Sequence, residues 1–315
     1  MKNHGIIKLK NANINNFTTD FGMNLRRRIN KPLRKIFKVL TKGKIIIDNY
    51  PKLEKDKPYI FASCHSFVED TIANLSVIDR NAYILFGTTN QLEENKEMYA
   101  AWLNGFIYVN RLDPKSRKDS IPKMERVIKN GNSILVFPEG GFNNTENLLV
   151  QKLFASPYVL SVKTGAKVVP IAPYNEFGSN KIFINAGEPI DLSLFNDKKE
   201  ALRYLRDILS TLMFECIEKH STPISRANLS NDPRMDLMKE RRQEYLKTKW
   251  TDDVWEEELT QYLDDEDKEY FSVRKSVDDI VITKDNIKIM APILEEIKKE
   301  KKYDFKKYMH NNWKK

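Results

Sequence analysis

The feature that most constrains this chain is the alternation of short apolar runs with helical patterns between residues 45 and 192. Four runs have the length and apolar content of buried strands: YIFAS at 59–63, AYILFG at 82–87, SILVFP at 133–138 and KVVPIAP at 167–173. Helical patterns lie between them, around 67–78, 116–130 and 153–164. Such alternation predicts an α/β fold, a mostly parallel sheet flanked by helices, and KIFINAG at 181–187 offers a further strand.

The N-terminal part of the chain is strongly basic. Residues 1–60 hold 15 Lys and Arg against 4 Asp and Glu, an excess of eleven positive charges. Because the whole chain of 315 residues has a net charge of +9, the other 255 residues carry a net charge of −2. The positive charge is therefore local, and it predicts a local anionic partner such as membrane headgroups, nucleic acid or an acidic protein.

Residues 22–44 contain nine basic residues, no acidic ones and a helical apolar repeat. Asn30 is predicted to cap this helix, with Pro32 in its first turn. A basic amphipathic helix suits the headgroup layer of an anionic membrane, although a surface helix packed on the core would show the same pattern. The repeat is predicted to place six residues on one side: Leu25, Ile29, Leu33, Ile36, Phe37 and Leu40.

These patterns divide the chain into three predicted parts. A membrane-docking segment covers 1–44, an α/β domain covers 45–220 and ends in an amphipathic helix at 199–220, and a charged helical extension covers 221–315. We assign no role to the extension. No stretch approaches the roughly 20 apolar residues of a membrane span, and the N-terminus lacks the apolar core of a signal peptide. We therefore expect a cytoplasmic protein, peripheral on the inner face of the cell membrane.

The segment HSFVED, residues 65–70, places a histidine and an aspartate on either side of a predicted strand-to-helix corner. Ser66 is predicted to be the N-cap of the following helix, and Glu69 to complete an S-x-x-E capping box. Asp70 then falls at the fourth helical position, which meets the residue before the cap. The corner thus brings His65 and Asp70 together, as a general base and the carboxylate that orients it. A hydrogen-bonded structural histidine at a helix start fits the same pattern.

Three later segments add polar residues at predicted strand ends. Arg111 follows the β-prone run GFIYVN and suits bidentate binding of a phosphate or carboxylate, although it also suits a surface ion pair. Glu139 follows the strand SILVFP, where it could bind a substrate hydroxyl, and Gly140 and Gly141 could form an anion-binding turn. The alternative is a plain turn with an exposed glutamate. Pro170 lies inside KVVPIAP and predicts an edge strand or a strand terminus.

In their order and spacing these four segments resemble the glycerolipid acyltransferase family, of the lysophosphatidic acid acyltransferase type. The family's H-x4-D motif is similar to His65–Asp70, and its G-x-I-x-x-x-R motif to 105–111. Its F-P-E-G motif is matched by residues 137–140, and its V-P-hydrophobic strand resembles 169–171. The resemblance covers roughly residues 44–192, about half of the chain.

The resemblance implies transfer of a fatty acyl group from acyl-CoA or acyl-carrier protein to a hydroxyl of a lysophospholipid or related lipid. His65 would be the general base and Asp70 its orienting partner, with no acyl-enzyme, tightly bound cofactor or metal. Arg111 would hold the acceptor's phosphate, while Glu139 and Gly140, with Gly141 beside them, would help bind its glycerol part. The expected partners are an anionic membrane surface, the lipid acceptor and the thioester donor.

Two departures from the family keep other interpretations open. Cys64 stands where the family usually has Asn, and Gly141-Phe142-Asn143 stand where the third motif usually continues to an Arg and a Ser. The missing cation leaves three possibilities: Arg111 with backbone N–H groups suffices, the acceptor is a hydroxylated lipid without a phosphomonoester, or Lys152 or Lys163 compensates. A non-catalytic membrane-binding protein on this fold is a further alternative.

Two other classes of protein fit the sequence poorly. A nucleic-acid-binding protein is disfavoured because no recognised binding module with stacking aromatics accompanies the basic segment. A metal hydrolase is disfavoured because His4, His220 and His310 lie far from His65 in the sequence, and Cys64 and Cys216 form no CxxC pair.

Overall fold

The structure is a computed structural model that describes residues 18–41, 43–67, 69–87, 103–109, 114–143, 148–176 and 179–222. The chain divides into two units, Met1–Lys249 and Trp250–Lys315, and all described residues belong to the first. The predicted C-terminal extension therefore lies outside the described residues, except for Ser221 and Thr222.

The described residues form one seven-stranded sheet with the spatial order β1-β7-β6-β2-β5-β3-β4. Neighbouring strands are parallel throughout, apart from the antiparallel pair β6 and β7. The predicted mostly parallel sheet is thus confirmed. The strands are β1 (Lys44–Asn49), β2 (Ile60–Ser63), β3 (Ala82–Gly87), β4 (Phe106–Val109), β5 (Ser133–Val136), β6 (Val168–Asn175) and β7 (Lys181–Ala186).

Helices cover both faces of this sheet, which confirms the predicted flanking helices. Ile60 and Ala62 of β2 pack in one apolar cluster with α3, α4, α5 and Met23 of α1, whereas Phe61 between them packs in a second cluster with α2 and the later part of α1. This two-sided burial explains why the strands read as continuous apolar runs rather than alternating ones. The helices are α1 (Asp20–Leu40), α2 (Asp70–Val77), α3 (Pro114–Lys129), α4 (Ser156–Thr164) and α5 (Lys198–His220).

Helix α1 begins earlier than the sequence predicted. Thr19 is its N-cap, and the hydroxyl of Thr19 accepts a hydrogen bond from the N–H of Gly22 at 3.3 Å. Pro32 therefore lies inside the helix rather than in its first turn, so the prediction of a cap at Asn30 is wrong. The side chain of Asn30 is buried instead, because it lies on the helix face that packs against the domain.

The apolar residues of α1 lie on two faces, not on the single side that was predicted. Met23, Asn30 and Phe37 are seven residues apart, nearly two turns each, and with Leu33 they are buried. Leu25 and Ile36 point outward and are 48% and 47% exposed. Phe21 and Val39, which are 80% and 83% exposed, lie on the same outward side.

In the part of the chain that the structure describes, no helix has both the length and the apolar composition to cross a membrane.

Pro170 lies in an interior strand, so the prediction of an edge strand or a strand terminus is wrong. β6 has β7 on one side and β2 on the other. The ladder between β6 and β7 ends at the pair Ile171 and Ala186, and Pro170 lies one residue beyond it. Its carbonyl accepts the N–H of Gly187 at 3.0 Å. Proline is tolerated here because the N–H it lacks falls past the end of the ladder.

Candidate active site

Two of the predicted functional segments meet at the carboxyl ends of β2 and β5. These strands are parallel neighbours, with Phe61 paired to Leu135, so the chain leaves both at the same edge of the sheet. His65 follows β2 by two residues, and Glu139 follows β5 by three. The backbone N–H of His65 donates to Oε1 of Glu139 at 3.1 Å. This edge of an α/β sheet is where such folds place their ligands.

His65 and Asp70 are in direct contact, as their position at the corner predicted. Nδ1 of His65 lies 3.0 and 2.9 Å from the two carboxylate oxygens of Asp70. The Asp70 side chain is fully buried, whereas 18% of the His65 side chain is exposed. With Asp70 ionised, the Nδ1–H of the imidazole donates to it and Nε2 keeps its lone pair. This orientation leaves Nε2 able to receive a proton, which is what the predicted role of His65 as a general base requires.

The capping box predicted for this corner is wrong, although the contact that it was meant to explain is present. Helix α2 begins at Asp70, with Glu69 at the N-cap position and no side-chain hydrogen bond there. Oδ2 of Asp70 accepts the N–H groups of Ser66 and Phe67 at 2.9 and 3.2 Å. A buried carboxylate can satisfy several donors at once, so Asp70 organises the loop before its own helix and Ser66 does not cap it.

Glu139 is buried, and each of its carboxylate oxygens accepts a backbone hydrogen bond. Only 3% of the surface of Glu139 is exposed to solvent. Oε1 accepts from His65, and Oε2 accepts from the N–H of Gln151 at 2.8 Å. Burial raises the pKa of Glu139 to about 8, against the lowering effect of these two hydrogen bonds, and the charge of Asp70 adds to the rise. The carboxylate thus joins the segment after β2 to the segment before α4.

Gly140 closes a tight turn after β5. Its N–H donates to the carbonyl of Phe137 at 2.9 Å, and its φ of +77° lies in the left-handed region that favours glycine. A Cβ at this position would lie 2.2 Å from the ring of Phe154. The turn and the packing of Phe154 therefore account for Gly140, while Gly141 next to it is buried. The predicted role of both glycines in anion binding stays a prediction.

Two phenyl rings enclose the imidazole of His65. The ring of Phe137 stacks on it with a centroid distance of 4.2 Å, and the ring of Phe142 lies at 3.9 Å with a tilt of 32°. The carbonyl of His65 also accepts the N–H of Asn143 at 2.8 Å. The segment after β5 therefore contacts both the ring and the backbone of His65.

Gln151 is a residue of this site that the sequence analysis missed. Its Nε2 donates to the carbonyl of Phe142 at 3.2 Å and to Oδ1 of Asn143 at 3.3 Å. Gln151 is 2% exposed. No periodicity or motif could have indicated it, because it lies in an irregular segment and its three partners lie eight to twelve residues upstream: the Glu139 carboxylate, the Phe142 carbonyl and Oδ1 of Asn143.

Cys64 precedes His65 but is poorly suited to be a nucleophile. It is fully buried in the apolar cluster that contains Ile60 and Ala62. Burial raises the pKa of its thiol well above the ordinary value, and the charges of Glu139 and Asp70 raise it further.

Within the described ranges, no group of three or more His, Cys, Asp or Glu side chains is placed to hold a metal ion.

The cations considered for an acceptor's phosphate differ in position. Arg111 lies outside the described residues. Lys163 lies in the last turn of α4, just before β6, so it is at the opposite edge of the sheet from His65, and it contacts Glu125 at 3.4 Å. It cannot replace a phosphate ligand at the site. Lys152 directly follows Gln151, so of these two lysines it is the one that is adjacent in sequence to a residue of the site.

Residues 44–173 match the family model described as Acyltransferase. This range contains β1 to most of β6, together with His65, Asp70 and Glu139. Residues 44–173 form an acyltransferase-family domain. The resemblance to the glycerolipid acyltransferase family is thereby confirmed.

Relatives of the acyltransferase domain carry names of the same kind. A chloroplastic 1-acyl-sn-glycerol-3-phosphate acyltransferase of Brassica napus is 27% identical over 144 residues, which are 46% of this chain and 39% of that protein. A chloroplastic enzyme of the same name from Arabidopsis thaliana is 27% identical over 144 residues, 46% of this chain and 38% of that protein. The chain thus spans less than half of the length of these curated relatives.

A solved structure also resembles this chain. It is the 1-acyl-sn-glycerophosphate (LPA) acyltransferase PlsC of Thermotoga maritima, which is 18% identical. The match covers 60% of this chain and 81% of that one, with a TM-score of 0.48.

Proposed function

We propose that this protein transfers a fatty acyl group from an acyl thioester to a hydroxyl of a lysophospholipid, with 1-acylglycerol-3-phosphate as the first acceptor to test. The observation that carries the proposal is the contact between His65 and a fully buried Asp70 at the carboxyl edge of the sheet. The names of the relatives support the choice of acceptor. Acyl-CoA and acyl-carrier protein are both donors under this proposal.

In the proposed mechanism, Nε2 of His65 takes the proton of the acceptor hydroxyl while Asp70 holds Nδ1–H. The acceptor oxygen then attacks the thioester carbonyl, so that a C–O bond forms and the C–S bond breaks. The imidazolium returns its proton to the leaving thiolate, and His65 is neutral again. This chain's residues need neither an acyl-enzyme nor a resident cofactor for these steps.

Two headgroups of the acceptor are compatible with this mechanism. Arg111 would hold a phosphate, with Glu139, Gly140 and Gly141 on the glycerol side. One observation favours a second candidate, a hydroxylated lipid without a phosphomonoester: the ring of Phe142 lies against His65, in the segment where the family's third motif usually supplies an arginine. The two candidates share the same base and the same bond changes, so they differ only in the acceptor that is turned over fastest.

We further propose that the outward face of α1 docks the protein on an anionic membrane, as a peripheral protein of the cytoplasmic face. This face combines exposed Phe21, Leu25, Ile36 and Val39 with exposed Arg28 and Lys35. Apolar side chains beside cations are suited to the interface of a membrane with anionic lipids. A non-catalytic membrane-binding protein would share this face, but it would not require the contact between His65 and Asp70.

The test of the proposed reaction is release of free thiol from acyl-CoA and from acyl-carrier protein. The acceptors are lysophosphatidic acid, a lysophospholipid diester and monoacylglycerol, each presented in anionic vesicles, and the acylated product is identified by mass spectrometry. Faster turnover of lysophosphatidic acid supports the first acceptor, and faster turnover of monoacylglycerol supports the second. Absence of transfer with every pair contradicts the proposed reaction.

A further inference from the structure

The side chain of Gln151 binds to two consecutive residues of the segment that encloses His65. Its Nε2 donates to the carbonyl of Phe142 at 3.2 Å and to Oδ1 of Asn143 at 3.3 Å. The backbone N–H of Gln151 donates to Oε2 of Glu139 at 2.8 Å. One buried residue thus holds the turn after β5 at three points.

Each of these three points is in contact with His65. Phe142 lies with its ring 3.9 Å from the imidazole centroid, Asn143 donates its N–H to the His65 carbonyl at 2.8 Å, and Glu139 accepts the His65 N–H at 3.1 Å. Gln151 itself makes no hydrogen bond to His65 in the described structure. Its effect on the imidazole therefore passes through the turn.

We propose that Gln151 is a positioning residue, which fixes residues 139–143 so that Phe142, opposite Phe137, clamps the His65 imidazole in its hydrogen bond to Asp70. This inference rests on the proposed function, because it assigns the clamp to the same base. It adds a residue that acts on the orientation of the base rather than on the substrate.

The clamp removes the freedom that would otherwise reduce the efficiency of the base. An imidazole can rotate about its bond to Cβ, and rotation would carry Nδ1 away from Asp70 and Nε2 away from the acceptor. Rings on both faces block that rotation and keep water from the faces of the imidazole. A displacement of about 1 Å at a catalytic group can cost about a hundredfold in rate, so loosening the turn has a measurable effect.

Gln151→Leu tests this role, because leucine is similar in size to glutamine. The substitution removes the two side-chain hydrogen bonds but keeps the hydrogen bond from the backbone N–H to Glu139. Oε1 of Gln151 is buried without a hydrogen-bond partner among the described residues, and leucine removes that unpaired group as well. Because the substitution also deprives the Phe142 carbonyl and Oδ1 of Asn143 of a donor, the melting temperature of the variant checks that it folds. Phe142→Leu removes the ring from the clamp, and Phe142→Tyr keeps it.

Two measurements separate positioning from a general structural role. The first is kcat and KM for acyl transfer in the full chain. The second is the rate at which diethyl pyrocarbonate modifies His65, followed by mass spectrometry of its peptide. His220 serves as the internal reference, because it stacks on Phe183 with ring centroids 3.6 Å apart, in a different part of the fold. Leu205→Ala in α5 is the matched control for lost stability, since Leu205 is fully buried and far along the chain from the site.

We expect Gln151→Leu and Phe142→Leu to lower kcat by about tenfold or more, with KM nearly unchanged. We also expect them to accelerate modification of His65 but not of His220, whereas Phe142→Tyr retains both wild-type values. Leu205→Ala should lower the melting temperature without accelerating modification of His65. An unchanged modification rate in Gln151→Leu would overturn the proposal. If the wild type transfers no acyl group, the proposed function fails, but the modification rates still decide whether Gln151 positions the imidazole.

Discussion

Oδ2 of Asp70 lies 2.9 Å from Nδ1 of His65, and the same oxygen accepts the N–H of Ser66 at 2.9 Å. The carboxylate is fully buried at the first position of α2. One side chain therefore sets both the path of the loop between β2 and α2 and the orientation of the imidazole. Changes at Asp70 are expected to affect stability and rate together.

Asp70→Asn should reduce both the stability of the protein and its catalytic rate. An amide offers one acceptor oxygen, but the Nδ1–H of His65 and the N–H groups of Ser66 and Phe67 all require an acceptor here. We expect kcat to fall by about a hundredfold or more, yet less than in His65→Ala, and the free energy of unfolding to fall by about 1–3 kcal/mol. Steady-state kinetics and urea unfolding measure these effects. Wild-type kcat in Asp70→Asn would mean that the carboxylate does not orient the base.

Glu139 should make the stability of the protein depend on pH. Burial raises its folded-state pKa to about 8, whereas in the unfolded chain it has its ordinary value near 4.5. Between these values the folded state holds a proton that the unfolded state has lost, so the free energy of unfolding falls as pH rises from about 4.5 to about 8. Glu139→Gln removes this titration. Urea unfolding gives the free energy of unfolding of the wild type and of Glu139→Gln over this pH range. The difference between these two free energies should change with pH, and a constant difference would contradict a raised pKa of Glu139.

Gly140→Ala should destabilise the turn through its contact with Phe154. The new Cβ would lie 2.2 Å from the Phe154 ring, at a φ of +77° that L residues rarely adopt. We expect a loss of about 2–4 kcal/mol, composed of backbone strain and overpacking. In Gly140→Ala combined with Phe154→Leu, the overpacking is relieved and the backbone strain stays. A double-mutant cycle on unfolding free energies measures this, and additive losses would show that the two side chains do not interact.

Substitutions on the two faces of α1 should separate docking from folding. Phe21→Glu with Val39→Glu changes only exposed residues, so we expect weaker sedimentation with anionic vesicles and stability within about 0.5 kcal/mol of the wild type. Phe37→Ala opens the buried face and should cost about 3–5 kcal/mol. Deletion of residues 1–44 would remove both faces at once and cannot distinguish them. Unchanged vesicle binding in the double variant would contradict docking through this face.

The strands and the pair at the site could be predicted from the sequence because they depend on local patterns. β3 runs from Ala82 to Gly87, the range that its apolar run predicted. His65 and Asp70 meet because a strand-to-helix corner separates them, which their spacing and flanking residues already indicated. The strand β1, Lys44–Asn49, was not among the predicted strands, although all of it except Lys44 lies in the predicted α/β domain.

The details that the sequence did not predict depend on contacts between distant segments. The capping box at Ser66 had a good local signal, but a buried carboxylate that accepts two loop N–H groups takes precedence over a serine cap. The burial of Leu33 but not of Leu25 depends on which side of α1 meets the sheet, and helical periodicity alone does not fix that. Gln151 carries no local signal, because its partners at Phe142 and Asn143 are brought to it only by the fold.

Under the proposed function, His65 acts as the general base of acyl transfer. The most direct measurement is the rate of thiol release from acyl-CoA with lysophosphatidic acid in anionic vesicles, for the wild type and for His65→Ala at equal protein concentration. Melting temperatures of both proteins control for folding, because His65 lies in the loop before α2 rather than in an element of the core. We expect transfer by the wild type and none above background by a folded His65→Ala. Full transfer by His65→Ala would show that His65 is not the base.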